Sequence, residues 1–408
     1  MAVSCDRIVR GLRDLGIVVD VVHFTRHFAN VRVETKRNGQ YIAFPPGDDA
    51  AHALNMLFER LEADPRHRSY THVVAFGGHL PLLAGPTYAA WWDIPLVTLF
   101  RGNDFDTAIF SPHRKALLRE ALERSAKICV VSRDKERRIA ALHPNADVLW
   151  TPNGIDLDDW TPLPSDRKAA QDWRSTEVEK GRRVLGLFGQ IKPKKGGLVL
   201  LESLAASGLS DRFHLLLVGD MDEEIHARLS QEDSSIRHTA HPFGDRYALL
   251  RQYCACDAVA IPSFYDGMPN VLLEAMGLGL PILGSTAGGM GDILEDGVHG
   301  FLFHPGDPHG CRRAITRLAE ASEDTLRAMG QACLETARKF DPTSEARAYE
   351  SVLRSTMRAS GTTETLNSAP RDDLLEIISN GAPATSSTHA PGNPSRQILS
   401  TTPLENSR

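Results

Sequence analysis

Two carboxylates, Asp266 and Glu274, stand eight positions apart in the run Pro262-Ser263-Phe264-Tyr265-Asp266-Gly267-Met268-Pro269-Asn270-Val271-Leu272-Leu273-Glu274-Ala275-Met276. Asp266 falls in a Gly/Pro-marked loop after an apolar strand, and Glu274 lies about one turn into a helix. Pro269 suits the first helical position, where its missing N–H would be unpaired anyway. Beyond it, the free N–H groups and positive dipole end of the helix can hold a phosphate. Asp266 and Glu274 would then flank an anion. That arrangement fits a phosphate-activated sugar, with one carboxylate for the ribose and the other for the hexose. Gly267, Met268 and Asn270 supply the backbone N–H groups between the two carboxylates, and the spacing leaves open which carboxylate serves which ring.

Other residues with chemistry to offer follow predicted strands. Gly77-Gly78-His79 and Arg101-Gly102-Asn103-Asp104 each come after a strand C-terminus, where doubly wound domains carry their ligands. His79 either faces a cleft or is structural, and Arg101 is a candidate substrate contact. Gly189-Gln190-Ile191-Lys192-Pro193-Lys194-Lys195-Gly196 follows another strand. Three lysines in four residues are by default a solvated loop, but this position gives Lys195 a functional reading. Cys254-x-Cys256 has the wrong spacing for tetrahedral zinc or thioredoxin chemistry and is expected to be two buried thiols at a helix end. No Asp-x-Asp pair sits in a metal position, and Asp158-Asp159 lies between the domains. No metal site and no cofactor are expected; lysines and a helix N-terminus would do the work of a divalent ion.

With 408 residues, 42% hydrophobic and 24% charged, the chain is long enough for two soluble domains. It has no apolar run of 18 residues and no basic-then-apolar leader. Six unpaired-looking cysteines make the cytoplasm the natural compartment. The net charge of −6 argues against a general nucleic-acid binder. Residues 1–165 carry 20 basic and 20 acidic residues, so the whole deficit lies further along. Within 101–140 there are 10 basic and 6 acidic residues, a local +4. That stretch is either a solvated helix face or a surface meeting anionic lipid, a peripheral membrane contact, or an anionic acceptor.

The positioning elements alternate. Helix-period Ile8, Leu12 and Leu15 lead to a strand over 17–22, and further strands are expected at 72–76, 95–100, 127–131 and 147–150, with a helix from Leu83 to Trp92. A second α/β unit opens with a strand at 183–189 and continues with strands at 213–219, 258–261 and 281–283. Helices over 309–319, 323–338 and 344–357 follow. This pattern predicts parallel sheets covered on both faces. The predicted organisation is an N-terminal domain over 1–165, a linker over 166–182, a C-terminal domain over 183–340, a helix over 341–358 crossing back, and a tail over 359–408 too rich in Gly, Ser, Thr, Pro and Asn to bury a core. In the tail, Asp372–Ile378 is the one apolar patch, a short docking helix or a solvated remnant.

The acidic run resembles the Glu-x7-Glu signature of retaining glycosyltransferases that use nucleotide sugars, the group 1, family 4-like enzymes with two Rossmann-like domains facing across a cleft (GT-B). Gly279-Leu280-Pro281-Ile282-Leu283-Gly284-Ser285, Gly288-Gly289-Met290-Gly291-Asp292 and Asp296-Gly297-Val298-His299-Gly300-Phe301-Leu302 continue the likeness, which runs to about residue 358. Thr151-Pro152-Asn153-Gly154-Ile155-Asp156 matches the family's Pro-Asn-Gly-Ile-Asp block, a turn that shapes the cleft. The loop from Gly189 and Gln190 to Lys195 is similar to one in which two cations neutralise the departing diphosphate, so the resemblance casts Lys195 in that role. His241-Pro242-Phe243-Gly244 falls where the family reads the base with backbone groups.

Three positions depart from the pattern: Asp266 replaces the first Glu, Gln190 replaces the Arg, and Arg101 stands where a sugar-contacting His often sits. The start departs too. The first helix begins within five residues of Met1, so the first strand and its Gly-rich turn are missing, and a gap is expected mid-sheet. A start upstream of this Met1 is favoured over a damaged or repurposed family member. The resemblance implies a metal-independent, retaining hexosyl transfer from a nucleotide-diphosphate sugar to a glycan, lipid-linked or small-molecule acceptor. The alternative is a nucleotide-sugar-binding protein without turnover. An epimerase is disfavoured, because the Pro-Asn-Gly-Ile-Asp and acidic-pair blocks are both transferase signatures.

Overall fold

Apolar strands buried on both faces build two mainly parallel sheets, the first with an exposed antiparallel edge strand, and the helices between them supply the covering layers. The computed structural model describes residues 2–102, 104–231 and 236–357 and the backbone of 374–380. The first domain runs α1 (Ala2–Asp14), β1 (Val18–Phe24), β2 (Arg32–Lys36), β3 (Gly39–Phe44), α2 (Ala50–Ala63), β4 (Tyr70–Phe76), α3 (His79–Trp91), β5 (Leu96–Phe100), α4 (Asp104–Ile109), α5 (Lys115–Arg124), β6 (Ser125–Val130), α6 (Arg133–Leu142) and β7 (Val148–Trp150). The stretch expected to be a linker is mostly helix α7 (Pro164–Glu177). It lies on the second domain, with Arg251 on Asp166 at 3.1 Å and Arg174 on Asp257 at 3.0 Å.

The second domain runs β8 (Arg183–Phe188), α8 (Gly197–Ser207), β9 (Phe213–Val218), α9 (Glu223–Leu229), β10 (Arg237–His241), α10 (Arg246–Cys254), β11 (Ala258–Ile261), α11 (Asn270–Gly277), β12 (Ile282–Ser285), β13 (Gly300–Phe303), α12 (Pro308–Glu320) and α13 (Glu323–Ala337). Its sheet order is β10-β9-β8-β11-β12-β13, parallel throughout. The final helix α14 (Pro342–Thr356) crosses back as expected. Its Tyr349, Val352 and Leu353 join Ile8, Val9 and Leu12 of α1 in one core against Val74, Val97 and Leu99 of the first sheet.

The first sheet has the order β2-β3-β1-β14-β4-β5-β6-β7. Here β14 is Leu374–Asn380, parallel to both neighbours, with Ile377 opposite Val21 on one side and Val74 on the other. The mid-sheet slot expected to be a gap is therefore occupied, and the patch read as a docking helix or solvated remnant supplies a strand. The rest of the expected tail, 359–373 and 381–408, lies outside the described residues, as does residue 358 at the end of the expected crossing helix. The sequence reading also missed the edge hairpin β2–β3, which turns at Asn38 in the left-handed region (φ 57°).

The cationic stretch 101–140 is largely neutralised in ion pairs, among them Arg138 with Asp134 at 2.8 Å, Lys135 with Asp106 at 3.1 Å and Arg124 with Glu120 at 3.2 Å. Among the described residues, no helix is long and apolar enough to cross a membrane. Cys254, the last residue of α10, is a free thiol that is only half-buried, against the expectation of two buried thiols; Cys256, two residues beyond, is buried and donates to the Gln252 carbonyl at 3.3 Å. Burial raises both thiol pKa values, which makes them poor nucleophiles.

A proline cannot donate to a ladder and is excluded from central strands. Ile377→Pro is expected to destabilise the first domain by about 3 kcal/mol or more, seen as a lower urea midpoint for that domain. An unchanged midpoint would show that 374–380 contributes nothing to the sheet.

Candidate functional site

The C-terminal edges of the two sheets face each other across a cleft of about 440 Å³. Arg101, Gly102 and Asn153 line it from the first domain, and the loops after β8, β10 and β11 line it from the second. The β8 loop carries Gly189, Gln190 and Lys195, all bordering the cleft. Lys192 and Lys194, the two candidates to make up for Gln190, do not border it. Gly196 ends this loop in the left-handed region (φ 77°), and a Cβ there would run into the Pro262 carbonyl. The lysine loop is thereby seated directly on the acidic loop.

The Lys195 ammonium pairs with the Asp266 carboxylate. Cation and carboxylate, 71 residues apart, thus meet inside the cleft. The acidic loop is fixed from three directions. The Asp266 carboxylate accepts from the Gly267 N–H at 2.9 Å, and the Gly267 carbonyl accepts from the Gly289 N–H at 2.6 Å. Gly267 also lies so close to the Arg101 carbonyl and Val131 of the first domain that any side chain would clash. Next comes α11. Pro269, expected at the first helical position, is instead its N-cap in extended backbone (φ −67°, ψ 137°), and Asn270 is the first helical residue. Pro269, Asn270 and Val271 border the cleft, so the positive end of the helix dipole faces it. The Asn270 side-chain oxygen is buried without a hydrogen-bond partner.

Glu274 sits one turn further in and does not border this cavity. It accepts from the Tyr253 hydroxyl at 2.8 Å. Tyr253 stacks on Phe188 with centroids 3.8 Å apart and meets Trp160 edge-on at 5.7 Å. Burial is the main cause that pushes the Glu274 carboxyl up to about 7, opposed by the Tyr253 hydrogen bond and the charge of Arg7. Phe243, from the turn expected to read a base, presents a half-exposed ring at the rim of the cleft.

Arg101 borders the cleft, yet its guanidinium is committed elsewhere. It donates to the Thr151 carbonyl at 3.0 Å, to Asn153 and to the Tyr349 hydroxyl, and it pairs with Glu345 at 2.7 Å. Glu345, only 3% exposed, also takes Arg7 at 2.7 Å and the Gly154 N–H at 3.1 Å. Asn153 then donates to the Met268 carbonyl at 2.6 Å, just before α11. Met268 is buried, with its carbonyl used in this way. Arg101 thus holds the cleft together, a role distinct from the substrate contact expected of it. His79 opens α3 at the surface and borders a separate crevice with Asp104 and Arg114, away from the cleft. Sequence reasoning missed Arg7, Glu345 and Tyr253. Arg7 and Glu345 meet across 338 positions, and no local spacing announces such a pair.

Residues 1–159 match the domain described as Glycosyltransferase Family 4, and residues 182–321 match Glycosyl transferases group 1. A D-inositol 3-phosphate glycosyltransferase of Actinosynnema mirum is 28% identical over 300 residues, 68% of this chain and 70% of that protein. A protein of the same name from Kribbella flavida is 28% identical over 372 residues, 81% of this chain and 84% of that one. Sucrose-phosphate synthase from Thermosynechococcus elongatus superposes with a TM-score of 0.73 at 18% identity, covering 86% of this chain and 92% of that one. Anabaena HepE, solved with UDP and glucose, superposes with a TM-score of 0.68 at 19% identity, covering 86% and 95%. At these identities the structural likeness establishes the fold.

Removing the carboxylate from between two buried guanidiniums leaves charge uncompensated. Glu345→Ala is expected to cost about 3–5 kcal/mol, lowering Tm by roughly 8–15 °C in a thermal melt. Unchanged melting would refute the network's structural role. A second expectation concerns pH. The Glu274 carboxyl titrates near 7 in the folded chain against an ordinary 4.5, so folding takes up a proton between those values. The stability this group contributes is fully present below about pH 4.5 and is lost as pH rises through 7. Urea unfolding of Glu274→Gln against the parent chain should show the variant gaining relative stability from pH 5 to pH 8; a difference independent of pH would refute it.

Proposed function

From the premise that this chain belongs to the group 1, family 4-like glycosyltransferases and has their GT-B fold, we propose that it transfers a hexose with retention from a nucleotide-diphosphate sugar, without a metal ion, to a hydroxyl acceptor. The Lys195–Asp266 pair beside the N-terminus of α11 is the observation that carries this reading. A diphosphate entering the cleft would meet the helix dipole and the Lys195 ammonium, which then serve as its counter-charges. Lys195 exchanges Asp266 for phosphate oxygen, and the freed carboxylate accepts hydrogen bonds from the hexose. Glu274, one turn along, is assigned to the ribose, and the turn at Phe243 to the base.

In the transfer step the sugar's C1–O bond to the β-phosphate breaks and the acceptor oxygen bonds to C1 on the same face. The acceptor's proton passes to the departing phosphate oxygen. The chain's residues hold and orient both partners, and Lys195 lowers the cost of the phosphate's departure. The relatives' name supplies one acceptor class for comparison, and HepE makes UDP the first nucleotide to test. The second reading, donor binding without turnover, rests on Gln190. It is exposed on the cleft where the family pattern has an Arg, and the cleft-lining Arg101 is spent on Glu345.

Isothermal titration of the chain with UDP, GDP and ADP tests the donor site. One diphosphate is expected to bind, and Lys195→Ala to weaken it roughly 10- to 100-fold, the loss of one charge-assisted contact. Glu274→Ala should weaken it as well. Absence of binding by all three would overturn the assignment. Release of the diphosphate from its sugar conjugate in the presence of acceptor separates turnover from binding alone.

A further inference from the structure

A second cavity, of about 380 Å³, opens on the far side of Asp266. Its walls come from α4 and α6 of the first domain and from residues 264–266 and 286–292 of the second, and Asp266 is the described residue that lines both cavities. Resting on the glycosyltransferase reading, in which Asp266 holds the hexose, this is where the acceptor enters. We propose that it takes a neutral polyhydroxylated acceptor and disfavours a phosphorylated one.

The charged lining carries the inference. Asp106, Asp134, Asp266 and Asp292 face Lys135, Arg137 and Arg138, four negative charges against three positive. All three cations are already engaged. Lys135 lies 3.1 Å from Asp106, Arg138 lies 2.8 Å from Asp134 and 3.6 Å from Asp106, and Arg137 lies 3.5 Å from Asp134. The Lys135 side chain is only 3% exposed, so its ammonium cannot swing out to meet an anion. A phosphate monoester brings about −1.5 to −2 charges at neutral pH and would find no net positive field. It would also lie next to the donor's own diphosphate, a like-charge neighbour.

Vicinal hydroxyls meet none of these penalties, because each both donates and accepts. Interleaved carboxylates and guanidiniums offer them partners of both kinds without breaking an ion pair. On the same wall, the rings of Phe264 and Tyr265 are 38% and 42% exposed, apolar surface suited to the C–H face of a sugar ring.

The test loads the whole chain with the diphosphate that binds it and follows two acceptor pairs by saturation-transfer NMR: myo-inositol against its 3-phosphate, and glucose against glucose 6-phosphate. In each pair that binds, the neutral member should bind more tightly. Asp134→Asn, which frees Arg137, should move the preference toward the phosphate ester by about threefold. Tighter binding of the phosphate ester by the parent chain would overturn the proposal, as would binding of neither member in both pairs. Failure of every diphosphate to bind in the first step would instead strike at the donor site, and the acceptor proposal would fall with it.

Discussion

Glu345 sits almost fully buried between the guanidiniums of Arg7 and Arg101, and both cations are buried as well. Charges in such a place persist only when paired and hydrogen-bonded. The cluster therefore tolerates one arrangement of the four segments that supply it: the first helix, the end of β5, the Pro-Asn-Gly turn and the helix that crosses back. Asn153 passes this constraint on to the Met268 carbonyl and so to the start of α11. The position of the proposed phosphate site is set from the opposite domain, by a carboxylate that does not line the cleft.

Around that anchor, the two sides of the cleft differ in charge. On the side proposed for the donor, the Lys195 ammonium, paired with Asp266, and the N-terminus of α11 border open space. On the other side of Asp266, carboxylates and cations cancel one another in close pairs. Glu274 is neither: buried under the Phe188–Tyr253 stack, its carboxyl titrates close to neutrality. A group so poised changes its charge readily when its surroundings change.

The first sheet illustrates a different constraint. A parallel sheet buried on both faces cannot leave a strand out, because the neighbouring edges would hold unpaired N–H and C=O groups away from water. Between β1 and β4 the slot is taken by Leu374–Asn380, drawn from the far end of the chain. Four apolar residues, two of them the β-branched Ile377 and Ile378, in an otherwise polar tail are the local property that suits it to this place.

Much of this was legible in the residues. The two α/β units, the crossing helix and the strand–loop–helix run from Pro262 to Met276 all follow from periodicity and from Gly and Pro, which act over a few positions. Lys195 and Asp266 were both singled out, though their direct pairing was not. What spacing could not show is every contact made across domains. The expectation for Arg101 came from its place after a strand, yet its partners lie 52 and 244 positions away and turn it into a clamp. His79 follows a strand in the same way but ends at the surface of another crevice. The patch at 374–380 reads as a docking helix or a solvated remnant because its neighbours in sequence are polar, whereas its partners are strands about 300 and about 350 residues earlier. Local sequence determines which segments become strands and helices, because propensity and periodicity are short-ranged. Which buried charge finds which partner, and which strand fills which slot, is settled only when desolvation forces distant segments to satisfy one another.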